Sequence, residues 1–254
     1  MNLFAMRTLR KVRHRIRELL RYDRFRNLER SVVDLNNTAE LKKIFGWNLD
    51  PLLDDKSIFQ VEHPEDANER RIRDAESLGV VVRNTNPAVC LDIGTSTGHS
   101  AALMAVNAPQ SRVYTVNIPP EDLDAGKGGK NTTVRLSRQE IGAYYRERGL
   151  TNIEQILANT ATWQPEIGPI DVAFIDGCHD VDFVFNDSRK VLEHVKPGGF
   201  VLWHDFNPEM TRRHTWIREV CLAVERLYAY SLLTGNVFHV RDSWTGIYRV
   251  QERA

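Results

Sequence analysis

The chain has 254 residues, which is enough for one large α/β domain with a buried core. It carries 34 basic and 34 acidic residues, so the net charge is zero and overall charge predicts no nucleic-acid partner. Three widely spaced cysteines, Cys90, Cys178 and Cys221, argue against a disulfide framework and against a zinc site. No apolar run reaches the roughly 18 residues of a membrane-spanning helix. These features favour a cytoplasmic protein.

The N-terminal segment is strongly basic and has helical periodicity. Residues 8–22 are predicted to form an amphipathic helix, with apolar residues at Leu9, Val12, Ile16, Leu19 and Leu20. Its basic face has three interpretations: association with an anionic membrane surface, packing on a second subunit of a homo-oligomer, or capping of a pocket for an acidic substrate. A solvated helix held by its apolar stripe is an equal alternative.

The next part of the chain gives weaker signals. Residues 31–65 are predicted to be largely irregular, with Pro51 and Pro64 as breakers and a short helix near Leu41–Phe45. Residues 66–82 have a helical pattern. We therefore predict an N-terminal extension over residues 1–65 and a main domain over residues 66–254.

From Pro87 onward, short apolar segments alternate with helical ones. The predicted strands are Ala88–Ile93, Arg112–Asn117, Ile153–Leu157, Asp171–Asp176 and Phe200–His204, and the predicted helices span about 98–107, 136–148, 182–195 and 209–226. This alternation is typical of a parallel sheet with helices on both faces. Leu227–Leu233 and Gly246–Val250 are predicted to form a terminal antiparallel hairpin, with Val237–Val240 extending either strand. The prediction is an α/β fold with a mostly parallel, seven-stranded sheet.

A glycine-containing turn follows the first of these strands. The chain runs through an acid and two glycines four residues apart into a helix, as Asp92-Ile93-Gly94-Thr95-Ser96-Thr97-Gly98-His99-Ser100. Glycine allows the backbone to approach a ligand closely, and the start of a helix offers free N–H groups. We expect cofactor contacts from Asp92, Gly94, Thr95, Ser96, Gly98 and Ser100. The spacing differs from the dinucleotide fingerprint G-x-G-x-x-G, which disfavours a nicotinamide-dependent oxidoreductase.

Asn117 ends the second strand, 25 positions after Asp92. Ligands in open parallel sheets lie beyond the carboxyl ends of the strands, and nucleotide-binding folds usually place an acid here to bind ribose hydroxyls. An amide can donate and accept hydrogen bonds toward a diol, but without a charge. Asn117 is therefore a candidate cofactor contact that departs from the usual pattern.

The longest ordered pattern lies in the second half of the chain. A strand ends in Phe174-Ile175-Asp176-Gly177-Cys178-His179, and a helix and the turn Lys196-Pro197-Gly198-Gly199 lead to a strand ending in His204-Asp205. Together with the glycine turn, this pattern resembles the class I S-adenosylmethionine (SAM) methyltransferases. Within them it is most similar to a bacterial branch related to the macrocin-type and caffeoyl-type O-methyltransferases. Val181 and Val195 depart from the Tyr and Leu of that branch.

The resemblance covers about residues 85–250 and implies a Rossmann-like class I methyltransferase fold with SAM as cofactor. It places Asn159 where the adenine edge is held, with Thr160 next to it, and adds Asp176 to the cofactor contacts. Trp163, which follows closely, is interpreted as a packing residue. The implied activity is O-methylation of a hydroxyl on a small polar acceptor, such as a sugar, a glycan or a natural product. The alternative is a non-catalytic SAM- or nucleotide-binding partner.

Methyl transfer to a hydroxyl requires a base, a metal ion or both. His179 is the candidate base because its ordinary pKa is near neutrality, and Asp176 is the second catalytic candidate. Asp176 and Asp205, at the ends of adjacent strands, could together hold Mg²⁺ through oxygen atoms. Related metal-dependent enzymes have an acid–Asp or Asp–Asn pair where His204 and Asp205 stand, so one oxygen ligand is missing and the metal stays an open prediction. His204 is interpreted as a satisfied core histidine.

The connection after the second predicted strand, residues 118–134, is long and contains the basic, glycine-rich segment Gly126–Lys130. A lid over the cofactor and a surface loop are equal alternatives for it.

Overall fold

The computed structural model of the protein describes residues 25–53, 68–132 and 135–252. The predicted basic helix over residues 8–22 and the breaker Pro64 lie outside these ranges. Within these ranges there are eight strands, β1 Val32–Leu35, β2 Val89–Ile93, β3 Arg112–Asn117, β4 Ile153–Leu157, β5 Ile170–Ile175, β6 Val195–Trp203, β7 Val237–Val240 and β8 Gly246–Arg249. The helices are α1 Leu28–Ser31, α2 Thr38–Phe45, α3 Asn68–Thr85, α4 His99–Asn107, α5 Pro120–Asp124, α6 Ala143–Glu147, α7 Val181–His194 and α8 Thr215–Ala229, with a 3₁₀ turn at Pro208–Met210.

All eight strands form one sheet in the order β1-β7-β8-β6-β5-β2-β3-β4. Neighbouring strands are parallel except at β8, which runs antiparallel to both β6 and β7. The predicted α/β fold, with a mostly parallel sheet and a terminal antiparallel pair, is confirmed. The chain order reverses at β2, which lies between β3 and β5, and ligands of open α/β sheets bind at such a point.

The sheet has one strand more than the seven predicted. β1 lies within the segment predicted to be irregular, and it pairs in parallel with β7, with Val32 opposite Val237 and Leu35 opposite Val240. A four-residue strand is too short to show a clear alternation, and its partner is about 200 residues away in the chain. Part of the predicted N-terminal extension thus belongs to the central sheet.

The prediction of a strand over Leu227–Leu233 is wrong. Helix α8 continues to Ala229, and the hairpin strand is β7. Val220, Val224 and Leu227 are all buried, and their spacing of four and three residues is that of one helix face. The predicted helix over 136–148 is also shorter, since α6 begins only after Gly142, which has φ +70°.

The hydrophobic core lies in two layers, one on each face of the sheet. Successive residues of a strand point to opposite faces. In β2, Leu91 packs in the layer that contains α7 and α8, whereas Cys90 packs in the layer that contains α3 and α4. Within the described part of the chain, no helix has both the length and the apolar character needed to cross a membrane.

Candidate active site

A cavity of about 290 Å³ opens at the carboxyl ends of β2, β3, β5 and β6. Its wall brings together eight of the predicted site residues, namely Gly94, Ser96, Asn117, Asn159, Thr160, Asp176, His179 and Asp205. His204 and Cys178 line it as well. This position agrees with the rule that ligands bind where the strand order reverses.

The glycine turn allows two strand ends to approach very closely. Gly94 has φ +105°, and a Cβ at this position would lie 1.9 Å from the backbone oxygen of Asp176. Gly98 has φ +101°, and a Cβ there would lie 2.5 Å from Cδ1 of Tyr145. Both positions therefore require glycine for steric reasons. Gly94 brings the glycine turn against Asp176, and Gly98 starts α4 against the neighbouring α6.

Four predicted cofactor residues, Asp92, Thr95, Gly98 and Ser100, do not line the cavity as the described residues form it. Asp92 is fully buried and its Oδ2 accepts a 2.6 Å hydrogen bond from the Thr115 hydroxyl. Thr95 is also buried, and Gln155 Nε2 donates a 3.0 Å hydrogen bond to its hydroxyl. These side chains support the glycine turn on the side that faces away from the cavity.

The buried carboxyl group of Asp92 is only partly hydrogen-bonded. Its Oδ1 atom is buried without a hydrogen-bond partner among the described residues. Burial raises the pKa of Asp92 to about 7, although the hydrogen bond from Thr115 opposes this shift. A carboxyl group with this pKa is partly protonated near neutral pH.

Asn117 fixes the conformation of the glycine turn. Its Oδ1 accepts a 3.0 Å hydrogen bond from the backbone N–H of Ser96, a residue in the left-handed region with φ +50°. Its Nδ2 donates to the backbone oxygen of Ile118 at 2.9 Å. Both ends of the amide are thus engaged within the protein, although the residue lines the cavity.

Helix α7 holds the cavity wall that contains Asn159 and Thr160. The buried Lys190 donates 2.6 Å hydrogen bonds to the backbone oxygens of Thr160 and Trp163, and the Thr160 hydroxyl donates to Asp187 at 3.1 Å. Burial raises the pKa of Asp187 to about 6, against the opposing effects of the Thr160 hydrogen bond and the Lys190 charge. Sequence reasoning missed both residues; the available signal was two charged residues three positions apart on one helix face. Trp163 packs against the core, in agreement with its interpretation as a packing residue.

Two carboxylates and two histidines meet at one side of the cavity. His179 Nε2 lies 3.3 Å from Asp176 Oδ1 and 3.1 Å from Asp205 Oδ2. His204 Nδ1 lies 3.2 Å from Asp176 Oδ1 and 3.8 Å from Asp205 Oδ2. Asp205 adopts φ +53°, a conformation that costs an L residue energy and that is often found at functional sites. The topology brings this group together, since β5 and β6 are adjacent parallel strands.

Opposite charges dominate the titration of this group. Burial alone would raise the pKa values of Asp176 and Asp205, but the nearby His204 and His179 hold both pKa values below the usual range. Burial alone would lower the pKa of His179, but its hydrogen bond to Asp176 and the charge of Asp205 raise it. Burial also opposes the charged form of His204, yet Asp176 and Asp205 raise its pKa well above the ordinary value.

The interpretation of His204 as a satisfied core histidine is wrong. His204 lines the cavity, and its Nδ1 is buried without a hydrogen-bond partner among the described residues. Its Nε2 forms a 3.4 Å hydrogen bond with Asp74 on helix α3. Asp74 also accepts a 2.6 Å hydrogen bond from the backbone N–H of Trp244. Sequence reasoning missed Asp74, because an acid in a helix far from the motifs gives no local signal.

Part of the long connection after β3 lies against the cavity. Gly128, Asn131 and Thr132 line it, and Asp180 accepts hydrogen bonds from the backbone N–H of Lys130 at 2.6 Å and from Asn131 Nδ2 at 2.7 Å. The segment before them forms the short helix α5. Residues 125–132 therefore contribute a wall of the cavity.

Residues 91–206 match the sequence model of a family described as a methyltransferase domain. This segment, just under half of the chain, is similar to that family. It includes the end of β2, all of β3 to β6 and every residue of the carboxylate–histidine group. No curated protein sequence matches the chain.

Solved structures, including those of two methyltransferases, share the fold of this chain. SAH-bound methyltransferase PaMTH1 from Podospora anserina is 16% identical, with 85% of this chain and 94% of that chain covered and a TM-score of 0.54. The O-methyltransferase NovP is 16% identical, with 73% and 81% covered and a TM-score of 0.54. Cofactor-bound Rv0187 from MTB is 18% identical, with 70% and 80% covered and a TM-score of 0.51. At these identities the similarity establishes the fold.

Proposed function

We propose that the protein is a SAM-dependent O-methyltransferase that methylates a hydroxyl on a small polar acceptor, such as a sugar, a glycan or a natural product. The observation that carries this proposal is the carboxylate–histidine group beside the cavity of the methyltransferase domain. His179 lies 3.1 to 3.3 Å from two carboxylates there. A hydroxyl must lose its proton to become a good nucleophile, and a positioned imidazole can accept it.

The cavity has room and polar lining residues for a small-molecule cofactor. Its volume of about 290 Å³ is near the lower limit of typical small-molecule pockets, roughly 300 Å³. The glycine turn from Gly94 to Ser96, together with Asn117, Asn159 and Thr160, would hold SAM. When bound, SAM supplies an electrophilic methyl group. The chain then has to exclude water, orient the acceptor and remove its proton.

A divalent cation fits the same group of side chains. Donor atoms of Asp176, His179 and Asp205 all lie within 4.8 Å of one another, so one ion can reach all three. When bound, such a cation lowers the pKa of a hydroxyl that it binds. We assign Asp176 and Asp205 to the cation and the proton to His179, because carboxylates neutralised by a cation no longer hold His179 in its charged form.

The alternative, a non-catalytic SAM- or nucleotide-binding partner, has one observation in its favour. Asn117 stands where an acid would bind ribose, and both ends of its amide are already engaged by Ser96 and Ile118. A weaker ribose contact would suit a protein that binds its ligand without turnover.

One pair of measurements tests the proposal. S-adenosylhomocysteine is titrated calorimetrically into the wild type and into His179→Ala, and SAM turnover is measured with a panel of sugar and phenol hydroxyl acceptors. We expect both proteins to bind S-adenosylhomocysteine with similar affinity, and His179→Ala to lose about 10²- to 10⁴-fold in turnover. Binding without turnover on any acceptor supports the non-catalytic alternative. The absence of binding to the wild type contradicts the proposal and also the SAM-binding form of the alternative.

A further inference from the structure

His204 has the surroundings of a metal ligand. Its Nδ1 is buried and without a hydrogen bond among the described residues, and it points at the carboxylates of Asp176 and Asp205, at 3.2 and 3.8 Å. Without an ion, this nitrogen faces the two carboxylates as an ion pair without a well-aligned hydrogen bond. A cation bound between the three side chains would satisfy it.

The opposite nitrogen of the ring is held by an acid. Nε2 of His204 forms a 3.4 Å hydrogen bond with Asp74 Oδ2. Asp74 itself is fixed, since its Oδ1 accepts from the Trp244 N–H at 2.6 Å and from the Thr245 hydroxyl at 3.3 Å. Metal-binding histidines usually donate their second N–H to a carboxylate, which sets the tautomer and the ring orientation. With Nε2–H directed at Asp74, it is the proton on Nδ1 that a cation would replace, which leaves the lone pair on the side of the two carboxylates.

We propose that His204, oriented by Asp74, is the third donor of the cation site formed with Asp176 and Asp205. We further propose that this site takes a divalent transition ion such as Mn²⁺, Co²⁺ or Zn²⁺ in preference to Mg²⁺. This inference rests on the proposed function, for which Asp176 and Asp205 hold a cation.

The preference follows from the donor atoms. Mg²⁺ favours oxygen ligands, whereas imidazole nitrogen suits transition ions. A related site with an acid in the place of His204 would offer oxygen alone, so the single change from acid to histidine alters the choice of ion. Asp74 acts as a positioning residue, because it contacts the ring of His204 and does not line the cavity that the described residues form.

Metal binding by the purified, metal-stripped full chain tests the inference without any need for the acceptor. Affinities for Mn²⁺, Co²⁺ and Mg²⁺ are measured by calorimetry, and bound Co²⁺ is followed by its visible absorption. Since transition ions bind most sites more tightly than Mg²⁺, the informative quantity is the change in the Mn²⁺-to-Mg²⁺ affinity ratio on substitution. The variants are His204→Asp and Asp74→Asn, with His194→Asp on α7 as the matched control. Nδ1 of His194 pairs with its own helix at Lys190 O, 2.8 Å away.

We expect His204→Asp to lower the Mn²⁺-to-Mg²⁺ ratio at least tenfold and to change the Co²⁺ spectrum. Asp74→Asn should weaken Co²⁺ binding by about 10- to 100-fold, the usual effect of removing such a supporting carboxylate. His194→Asp should change neither. An unchanged ratio and spectrum in His204→Asp would overturn the inference, and so would a wild type that prefers Mg²⁺.

Two further results separate this inference from the proposed function. If His204→Asp does not fold, Asp74→Asn still decides, because unaltered Co²⁺ binding in that variant contradicts the positioning role. If the wild type binds no cation but transfers methyl groups in EDTA, the metal inference fails and the proposed function stands. If the wild type does not bind S-adenosylhomocysteine, the proposed function fails.

Discussion

Replacement of Gly94 by alanine should disrupt the junction on which the candidate site depends. A Cβ on Gly94 would lie 1.9 Å from the backbone oxygen of Asp176 and 2.5 Å from its carbonyl carbon. Both atoms belong to backbone at the end of β5, so no side-chain rotation relieves the contact. The ends of β2 and β5 would have to move apart, and Asp176 would move with them.

The expected loss in the free energy of unfolding of Gly94→Ala has two parts. Left-handed backbone costs an L residue about 1–2 kcal/mol, and Gly94 has φ +105°. Forcing an extra carbon into a packed region costs about 1–3 kcal/mol more. We therefore expect Gly94→Ala to lose about 2–5 kcal/mol in the free energy of unfolding. For a domain of this size, each kcal/mol lowers the Tm by roughly 2–4 °C.

Gly149→Ala is the matched control. Gly149 also has left-handed backbone, with φ +67°, but a Cβ there would meet nothing within 4 Å. It should lose only the first part, about 1–2 kcal/mol. Urea unfolding of both variants and the wild type measures the difference, and titration with S-adenosylhomocysteine shows whether Gly94→Ala also loses at least tenfold in affinity. Equal destabilisation of the two variants would refute the argument that the close approach to Asp176 is what requires glycine.

Three further predictions concern polar side chains in and behind the cavity wall. Lys190→Met should weaken S-adenosylhomocysteine binding about 5- to 30-fold, equivalent to about 1–2 kcal/mol, since two hydrogen bonds to the cavity wall are lost. Arg189→Met on the same helix, whose side chain is half-exposed and pairs with Glu193, should have no effect in the same titration. Asp92 has a folded pKa of about 7, above the usual 3.8, so its contribution to stability is present below pH 4 and is lost as the pH rises toward 7. Asp92→Asn should flatten the fall in unfolding free energy between pH 4 and pH 7, by up to about 4 kcal/mol in denaturant titrations at each pH, and an unchanged slope would contradict the raised pKa. Asn117→Ala should lower cofactor affinity severalfold by releasing the Ser96 N–H, whereas Asn117→Asp, which keeps the acceptor for Ser96 but loses the donor to Ile118, should lose less affinity than Asn117→Ala.

Local sequence patterns were sufficient for the central part of the fold. The predicted segments 112–117 and 153–157 agree with β3 and β4, because a short apolar run between turn residues has few alternatives inside an alternating α/β pattern. The short strand β1 could not be predicted, because its pairing with β7 is decided by distant backbone. The strand predicted at Leu227 failed because the apolar face of α8 continues through it.

The candidate site shows the same division. Local spacing predicts several site residues, because each lies at the end of a strand or the start of a helix. They are Gly94, Gly98, Asp176 after β5, and His179 three residues later. Only the tertiary structure shows that Asp92 and Thr95 are buried beneath the glycine turn, outside the cavity lining. It alone shows that hydrogen bonds to Lys190 and Asp187 hold the cavity wall at Thr160.

The sequence by itself determined which strands carry polar residues at their carboxyl ends, where the cavity lies. Strand periodicity and turn residues are local properties of the chain, so they can be recognised without the fold. Only the tertiary structure decided that Asp74, about 130 positions before His204, holds the ring whose other nitrogen faces Asp176 and Asp205. The reason is physical. Hydrogen bonds require their atoms to lie within about 3 to 3.5 Å in space, and separation along the chain carries no information about which buried groups will meet at that distance.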